Sequence, residues 1–315
     1  MAILENFLEV GSLKWFYRQV NPAQQPDTTP VILLHGLPAH GYIWRELLTS
    51  LEEYNINAIA PDWIGSGLSA KPDARDFAYT PSAFCQALAD FIQALQLPKI
   101  SLIVQGFLAS VGLQYALENP DKIERLIVLN TPLSSDVKLP WIMKQWGIPF
   151  LGDMATQDPL LVDRTLETGS GFVISDADLA IFRQPYLKTS AVGRALVATI
   201  RNLNLSKTMA EIETGLENFE KPILFVWGMG DPWLSSVTVE KLATKSGVEL
   251  ISLAEAKHYP QEHWSKEINP HLLVSSNDPG CRLKHSFRSN SGQKGLPDSF
   301  RYWHFVGFLR GFALC

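Results

Sequence analysis

Val104-Gln105-Gly106-Phe107-Leu108 is the stretch on which the reading of this chain turns. Before it runs an apolar, β-branched segment, Ile100-Ser101-Leu102-Ile103-Val104, and after it Ala109, Leu113, Ala116 and Leu117 recur at helical spacing. The pattern predicts a buried strand, a sharp turn and a helix. A turn of this kind lifts the side chain at its summit above the edge of a sheet, where substrate reaches it. Here the summit residue is Gly106, which has no side chain to lift.

Strand and helix alternate on both sides of that turn. Phe7 to Val20 reads as a hairpin turned at Gly11-Ser12; Val31–Leu34 is a continuous apolar run of the kind buried on both faces, and Ile56–Ala60 reads as another buried strand. Tyr42 to Leu51 has helical spacing, and Ser82 to Leu95 places Phe84, Leu88, Phe91, Ile92 and Leu95 on one face. A helix over 107–118 and a strand at Leu126–Leu129 follow the turn. This alternation predicts the α/β class, with a mostly parallel, doubly wound sheet of about eight strands.

The rhythm stops at Thr131-Pro132. Residues 133–219 are punctuated by Trp and Pro and read as helices near 141–146, 160–165, 176–182 and 190–203. Sheet logic returns with Ile223–Trp227, a helix near 236–246 and Val248–Leu253. The expected organisation is a core of 1–132 and 220–274, a helical cap at 133–219 after the sixth strand, and an irregular tail at 275–315. In that tail Arg and Lys outnumber Asp and an aromatic patch spans Phe300 to Phe305, without strand or helix periodicity; a solvated tail is expected.

At 315 residues with 46% hydrophobic content, the chain is long enough for a sizeable core. A net charge of -5 and no basic stripe in the first 270 residues argue against a nucleic-acid partner. Cys85, Cys281 and Cys315 form neither a disulfide framework nor a metal-ligand spacing, so no metal and no cofactor is expected. No apolar run has the length of a transmembrane helix, and the N-terminus lacks the marks of a leader. A cytoplasmic protein is expected, or one of the plastid stroma were a transit segment to precede this sequence.

Three loops carry candidate chemistry. His35-Gly36-Leu37-Pro38 ends a strand, and a loop there lends a backbone N–H to an oxyanion in acyl- and alkyl-transfer sites. Taken alone, an ordinary turn is the plainer reading. Pro61-Asp62-Trp63-Ile64-Gly65-Ser66-Gly67-Leu68-Ser69 lacks the spacing and the Lys of a phosphate loop, so Asp62 reads as a carboxylate fixing its own loop. Asp231 follows one buried strand and His258 the next, at sheet ends that face the ligand crevice. Lone loop histidines and aspartates are usually structural, but an Asp there can hold a His in the tautomer that accepts a proton. The paired placement is the stronger signal.

From His35 to about Ile268 the sequence resembles the α/β-hydrolase superfamily, in its haloalkane dehalogenase and epoxide hydrolase branch. The matching motifs are His35–Pro38 with Tyr42-Ile43-Trp44-Arg45, Pro61–Ser69 with Lys71-Pro72, Leu126–Pro132, Trp227–Asp231 and His258. The resemblance implies His258 and Asp231 as catalytic partners and backbone N–H groups of Leu37 and Phe107 as an oxyanion hole. It also implies a cap closing over the crevice. Three departures stand out. Gly106 occupies the nucleophile position, Leu108 stands where a small residue belongs, and Leu37 and Phe107 replace the two halide-holding side chains. The variant elbow resembles that of a cyanobacterial and plastid subgroup.

A nucleophile at such a summit has a strained backbone with φ above zero, costing about 1–3 kcal/mol, whereas glycine adopts it freely. Ser110 is an unfavoured substitute, because using it would start the helix a turn late. A water activated directly by His258 is the alternative. Trp141, Trp146, Phe150, Phe182 and Tyr186, with Phe107, are candidates to line an apolar pocket for a small apolar molecule, or else to pack the cap onto the body. Two readings stand: a hydrolase of a small apolar ester, epoxide or related bond, and an inactive pseudo-hydrolase that binds a ligand or partner protein.

Overall fold

All six residues of Ile100–Gln105 are buried, and their β-branched apolar pattern places this strand inside the sheet, between two parallel neighbours. The computed structural model describes residues 3–21, 29–158 and 160–268, so the expected tail at 275–315 lies outside the described residues. Described residues up to Ser265 belong to one unit. Among them, eight strands form one sheet: β1 (Leu4–Val10), β2 (Leu13–Val20), β3 (Val31–Leu34), β4 (Ala58–Pro61), β5 (Ile100–Gln105), β6 (Ile123–Leu129), β7 (Ile223–Gly228) and β8 (Val248–Leu253). Their order is β1-β2-β4-β3-β5-β6-β7-β8. The β1–β2 hairpin and its junction with β4 are antiparallel; every other pairing is parallel.

Register aligns the ends of these strands. Gln105 stands opposite Leu129, Leu129 opposite Val226, and Gly228 opposite Leu253. The loops after β3, β5, β6, β7 and β8 therefore emerge at one edge, where an open α/β sheet forms its crevice.

Three helices belong to the first half of the body: α1 (Arg45–Glu53), α2 (Pro81–Ala94) and α3 (Ser110–Glu118). α2 begins where Thr80 accepts a hydrogen bond from the Ala83 N–H at 3.3 Å, with Pro81 preset for the first turn. Its buried face, Phe84, Leu88, Phe91 and Ile92, joins the core, where Phe91 stacks on Trp15 at 4.7 Å. Truncating a buried residue such as Leu88 to Ala costs ~2–5 kcal/mol. The helix expected over 107–118 begins at Ser110, because Phe107 to Ala109 are spent on the turn out of the strand.

Between β6 and β7 come α4 (Trp141–Lys144), α5 (Leu151–Ala155), α6 (Leu160–Ser170), α7 (Asp176–Lys188), α8 (Ala191–Asn202) and α9 (Leu205–Glu217). α9 packs against α3, a body helix, so the inserted segment leaves the sheet through α4–α8 and returns along α9. Two short helices complete the unit, α10 (Val237–Leu242) and α11 (Pro260–His263). None of the described helices is long and apolar enough to cross a membrane.

Candidate active site

The turn after β5 holds Gly106 at φ +87°, a left-handed conformation that side chains resist. Its N–H donates to the Asn130 carbonyl at 3.2 Å, tying the summit of the turn to the end of β6. A Cβ built on residue 106 would lie 3.7 Å from His258 Nε2. The summit thus points at the imidazole, and the reach between them is that of a short side chain.

His258 is fully buried, and its Nδ1 lies 2.8 Å from Asp231 Oδ2. That contact assigns the proton to Nδ1 and leaves the Nε2 lone pair free to accept one. Nε2 has no hydrogen-bond partner in the protein. Asp231 is saturated: Oδ1 accepts the N–H groups of Trp233 (2.8 Å) and Leu234 (3.2 Å), and Oδ2 also accepts Asn130 Nδ2 at 2.8 Å. A carboxylate with four donors is held in place, with one oxygen directed at the imidazole.

Residues not singled out from the sequence complete this frame. Asn130 bridges β6 to β7, since its amide also donates to the Gly228 carbonyl (3.1 Å) and accepts the Gly228 N–H (2.8 Å). Gln105, buried beside the turn, donates to the His258 carbonyl at 2.7 Å and accepts from Gln261 at 3.1 Å. The His258 N–H donates to the Gly169 carbonyl of α6 at 2.9 Å, so an inserted helix also holds the histidine. The available signal was a polar residue ending an apolar strand: Gln105 after Val104, Asn130 after Leu129.

Of the expected oxyanion-hole residues, Phe107 lies in the turn itself and Leu37 in the facing loop after β3. Gly36, just before Leu37, approaches residue 106 so closely that its Cα would be 2.9 Å from a Cβ there. Tyr259, its phenol pushed up by burial, donates from its hydroxyl to the Leu37 carbonyl at 2.8 Å. Phe107, Trp233 and Tyr259 surround the imidazole, with ring centroids 5.6, 4.6 and 4.8 Å from it. The surroundings of His258 are apolar and aromatic.

Two candidate pocket residues are misplaced. Trp141 is 65% exposed and Phe150 83% exposed. The sequence expectation is corrected for both: the aromatics sit at the starts of one-turn helices that leave their rings in solvent, Phe150 with φ +64° ahead of α5. Trp146 and Phe182 are buried, Phe182 packing on His40 (5.2 Å) and Tyr42 (5.4 Å) at the seam with the body. Tyr186 approaches the loop beside Leu37, its hydroxyl 3.4 Å from the Pro38 carbonyl. Ser110 has its hydroxyl on the Phe107 carbonyl at 2.7 Å, inside the first turn of α3.

Asp62 fixes its loop as the sequence suggested, accepting the N–H groups of Gly41 and Leu68 at 2.7 Å each. His35 is a neutral structural group: its Nε2 accepts the Trp63 N–H at 3.1 Å, and burial lowers its pKa to about 4. Among the described residues no group of three or more His, Cys, Asp or Glu side chains is placed to hold a metal ion.

The sequence profile of the alpha/beta hydrolase fold family matches residues 29–263. The chain belongs to that family. Among relatives of this α/β-hydrolase is a haloalkane dehalogenase of Mycolicibacterium paratuberculosis, 28% identical over 272 residues, 83% of this chain and 87% of the relative. A cis-3-alkyl-4-alkyloxetan-2-one decarboxylase of Xanthomonas campestris is 36% identical over 124 residues, 36% of this chain and 41% of the relative. In fold, the α/β-hydrolase is similar to a haloalkane dehalogenase from Bradyrhizobium elkani, with a TM-score of 0.75 at 22% identity, covering 86% of this chain and 96% of that one.

Proposed function

We propose that this α/β-hydrolase cleaves a small apolar ester, epoxide or related bond with water in place of the covalent nucleophile, in the cytoplasm. The observation that carries the reading is the unpartnered, buried Nε2 of His258, backed by Asp231 and directed at a turn that has no side chain. On an ester, Nε2 takes a proton as the water oxygen bonds to the carbonyl carbon. The oxyanion then faces the backbone N–H groups of Leu37 and Phe107. As the C–O bond breaks, the imidazolium returns its proton to the leaving oxygen. Asp231 stabilises the imidazolium without taking the proton.

Substrate class follows from the rings of Phe107, Trp233 and Tyr259 about the histidine, which favour an uncharged, apolar molecule. The curated relatives are named for haloalkanes and for an alkyl-substituted oxetanone. A halide leaving group is disfavoured here, because Leu37 and Phe107 have no side-chain N–H to hold it.

The test is turnover of a short-chain p-nitrophenyl ester and of a small epoxide by wild type beside His258→Ala. Loss of ~100-fold or more in the variant is expected, within the range of general-base catalysis. Equal rates would overturn the reading. A second reading, a non-catalytic binder, is favoured by one observation: the space for a nucleophile's Cβ is closed by Gly36. Saturable binding of an unreacted ester or epoxide with no turnover in wild type would select it.

A further inference from the structure

A cavity of 150 Å³ opens where the loop after Ser69 meets helix α8 of the inserted segment. It shares no lining residue with the His258 centre. Its walls include Ala191 and Ala198 on α8 and the ring of Tyr79, and its polar lining includes Lys71, Arg194 and Asp73. Lys71 is half-buried and donates to the Ser66 carbonyl at 3.4 Å and to the Ser69 carbonyl. Arg194 donates to Ser190 Oγ at 2.8 Å. Among the described residues neither cation forms an ion pair with a carboxylate. Burial lowers Lys71 to about 8 against the raising influence of the Asp62 carboxylate, so a further anion beside it would offset the remaining cost of its charge.

The wall is fixed in shape. Tyr79 is buried with φ +53°, a conformation an aromatic residue rarely adopts, and its hydroxyl donates to the Pro72 carbonyl at 2.7 Å. A pre-formed hollow with an apolar floor and two cations that form no ion pair among the described residues suits a ligand that has an apolar body and an anionic head. Guanidinium matches the two oxygens of a carboxylate. Asp73 at the same cavity offsets part of the positive charge, so a monoanion fits better than a dianion.

We propose that this cavity binds a small monocarboxylate, with its head between Lys71 and Arg194 and its alkyl chain on the alanines of α8. A ligand so placed would join the inserted segment to the body.

Butyrate is the probe, titrated into the full chain and followed by the amide resonances of α8, with inorganic phosphate as the comparison. Saturable butyrate binding is expected, weakened about tenfold or more in Arg194→Ala, which removes a charge-assisted hydrogen bond. Ala198→Leu keeps both cations but fills the hollow, and should abolish binding. If that variant does not fold, Arg194→Ala decides, since Arg194 is exposed and its removal leaves the core intact. Absence of saturation in wild type, equal binding by the variants, or phosphate binding as tightly as butyrate would each overturn the proposal.

Discussion

A Cβ on Gly106 would lie 2.9 Å from the Cα of Gly36, and a Cβ on Gly36 would lie 2.8 Å from the Cα of Gly106. The loops after β3 and β5 therefore meet backbone to backbone, at a separation that no side-chain stem tolerates. The packing of the turn leaves no room for a side-chain stem at residue 106: the volume it would need is occupied by Gly36. His258 and Asp231 nevertheless stand aligned on the same edge of the sheet.

Substituting Gly106 by Ala should destabilise the protein by about 2–4 kcal/mol, combining ~1–3 kcal/mol of backbone strain with displacement of Gly36. Urea unfolding of the two proteins measures it. Gly106→Asp should lose at least as much and gain no covalent chemistry by itself, since its stem meets the same backbone. An aspartate variant as stable as wild type would show that the Gly36 loop yields easily.

Removing Asn130 tests the support of Asp231. In Asn130→Ala the Gly228 N–H loses its acceptor and Asp231 loses one of four donors. Stranding a buried polar group costs ~1–3 kcal/mol, and a domain of this size loses about 2–4 °C in Tm per kcal/mol. Thermal unfolding should show a drop of several degrees. Hydrolysis should fall in kcat more than it rises in KM, because the Asn130 side chain bonds Asp231 and the Gly228 backbone and so acts through the histidine's support.

Acid should unfold the protein through two buried histidines. Burial lowers His35 to about 4 and His40 to about 3, the latter helped by the Arg18 charge. The unfolded chain binds these protons near pH 6.5, so it takes up more protons than the folded one as pH falls below that value. Their stabilising contribution is whole above pH 6.5 and is lost progressively down to about pH 4 and pH 3. At pH 5 the loss is about 2 kcal/mol for each. Urea midpoints at pH 7 and pH 5 should differ accordingly, with a smaller difference in a folded His40→Gln variant.

Much of this arrangement was legible in the sequence, because burial on both faces writes continuous apolar runs and turns write Gly and Pro. The β5 turn could be placed at Gly106 since Val104 closes one run and Leu113 opens a helical face. Asp231 and His258 were legible from their place just past successive strands. Exposure was not: Trp141 and Phe150 look like pocket aromatics until the one-turn helices that present them to solvent are seen. Nor was Gln105 legible as the residue that holds the His258 carbonyl, because its partner is 153 positions away. Long-range polar contacts leave little trace in a single sequence. The close approach of Gly36 to Gly106 is likewise a property of two loops at once.

The most direct measurement is a single turnover of an epoxide by excess enzyme in heavy-oxygen water, with mass spectrometry of both diol and protein. Direct attack by a His258-activated water should place the heavy oxygen in the diol from the first turnover and leave the protein unlabelled and free of adduct. A covalent adduct on the chain, or a first-turnover diol without label, would contradict the account by revealing a nucleophile that Gly106 cannot supply.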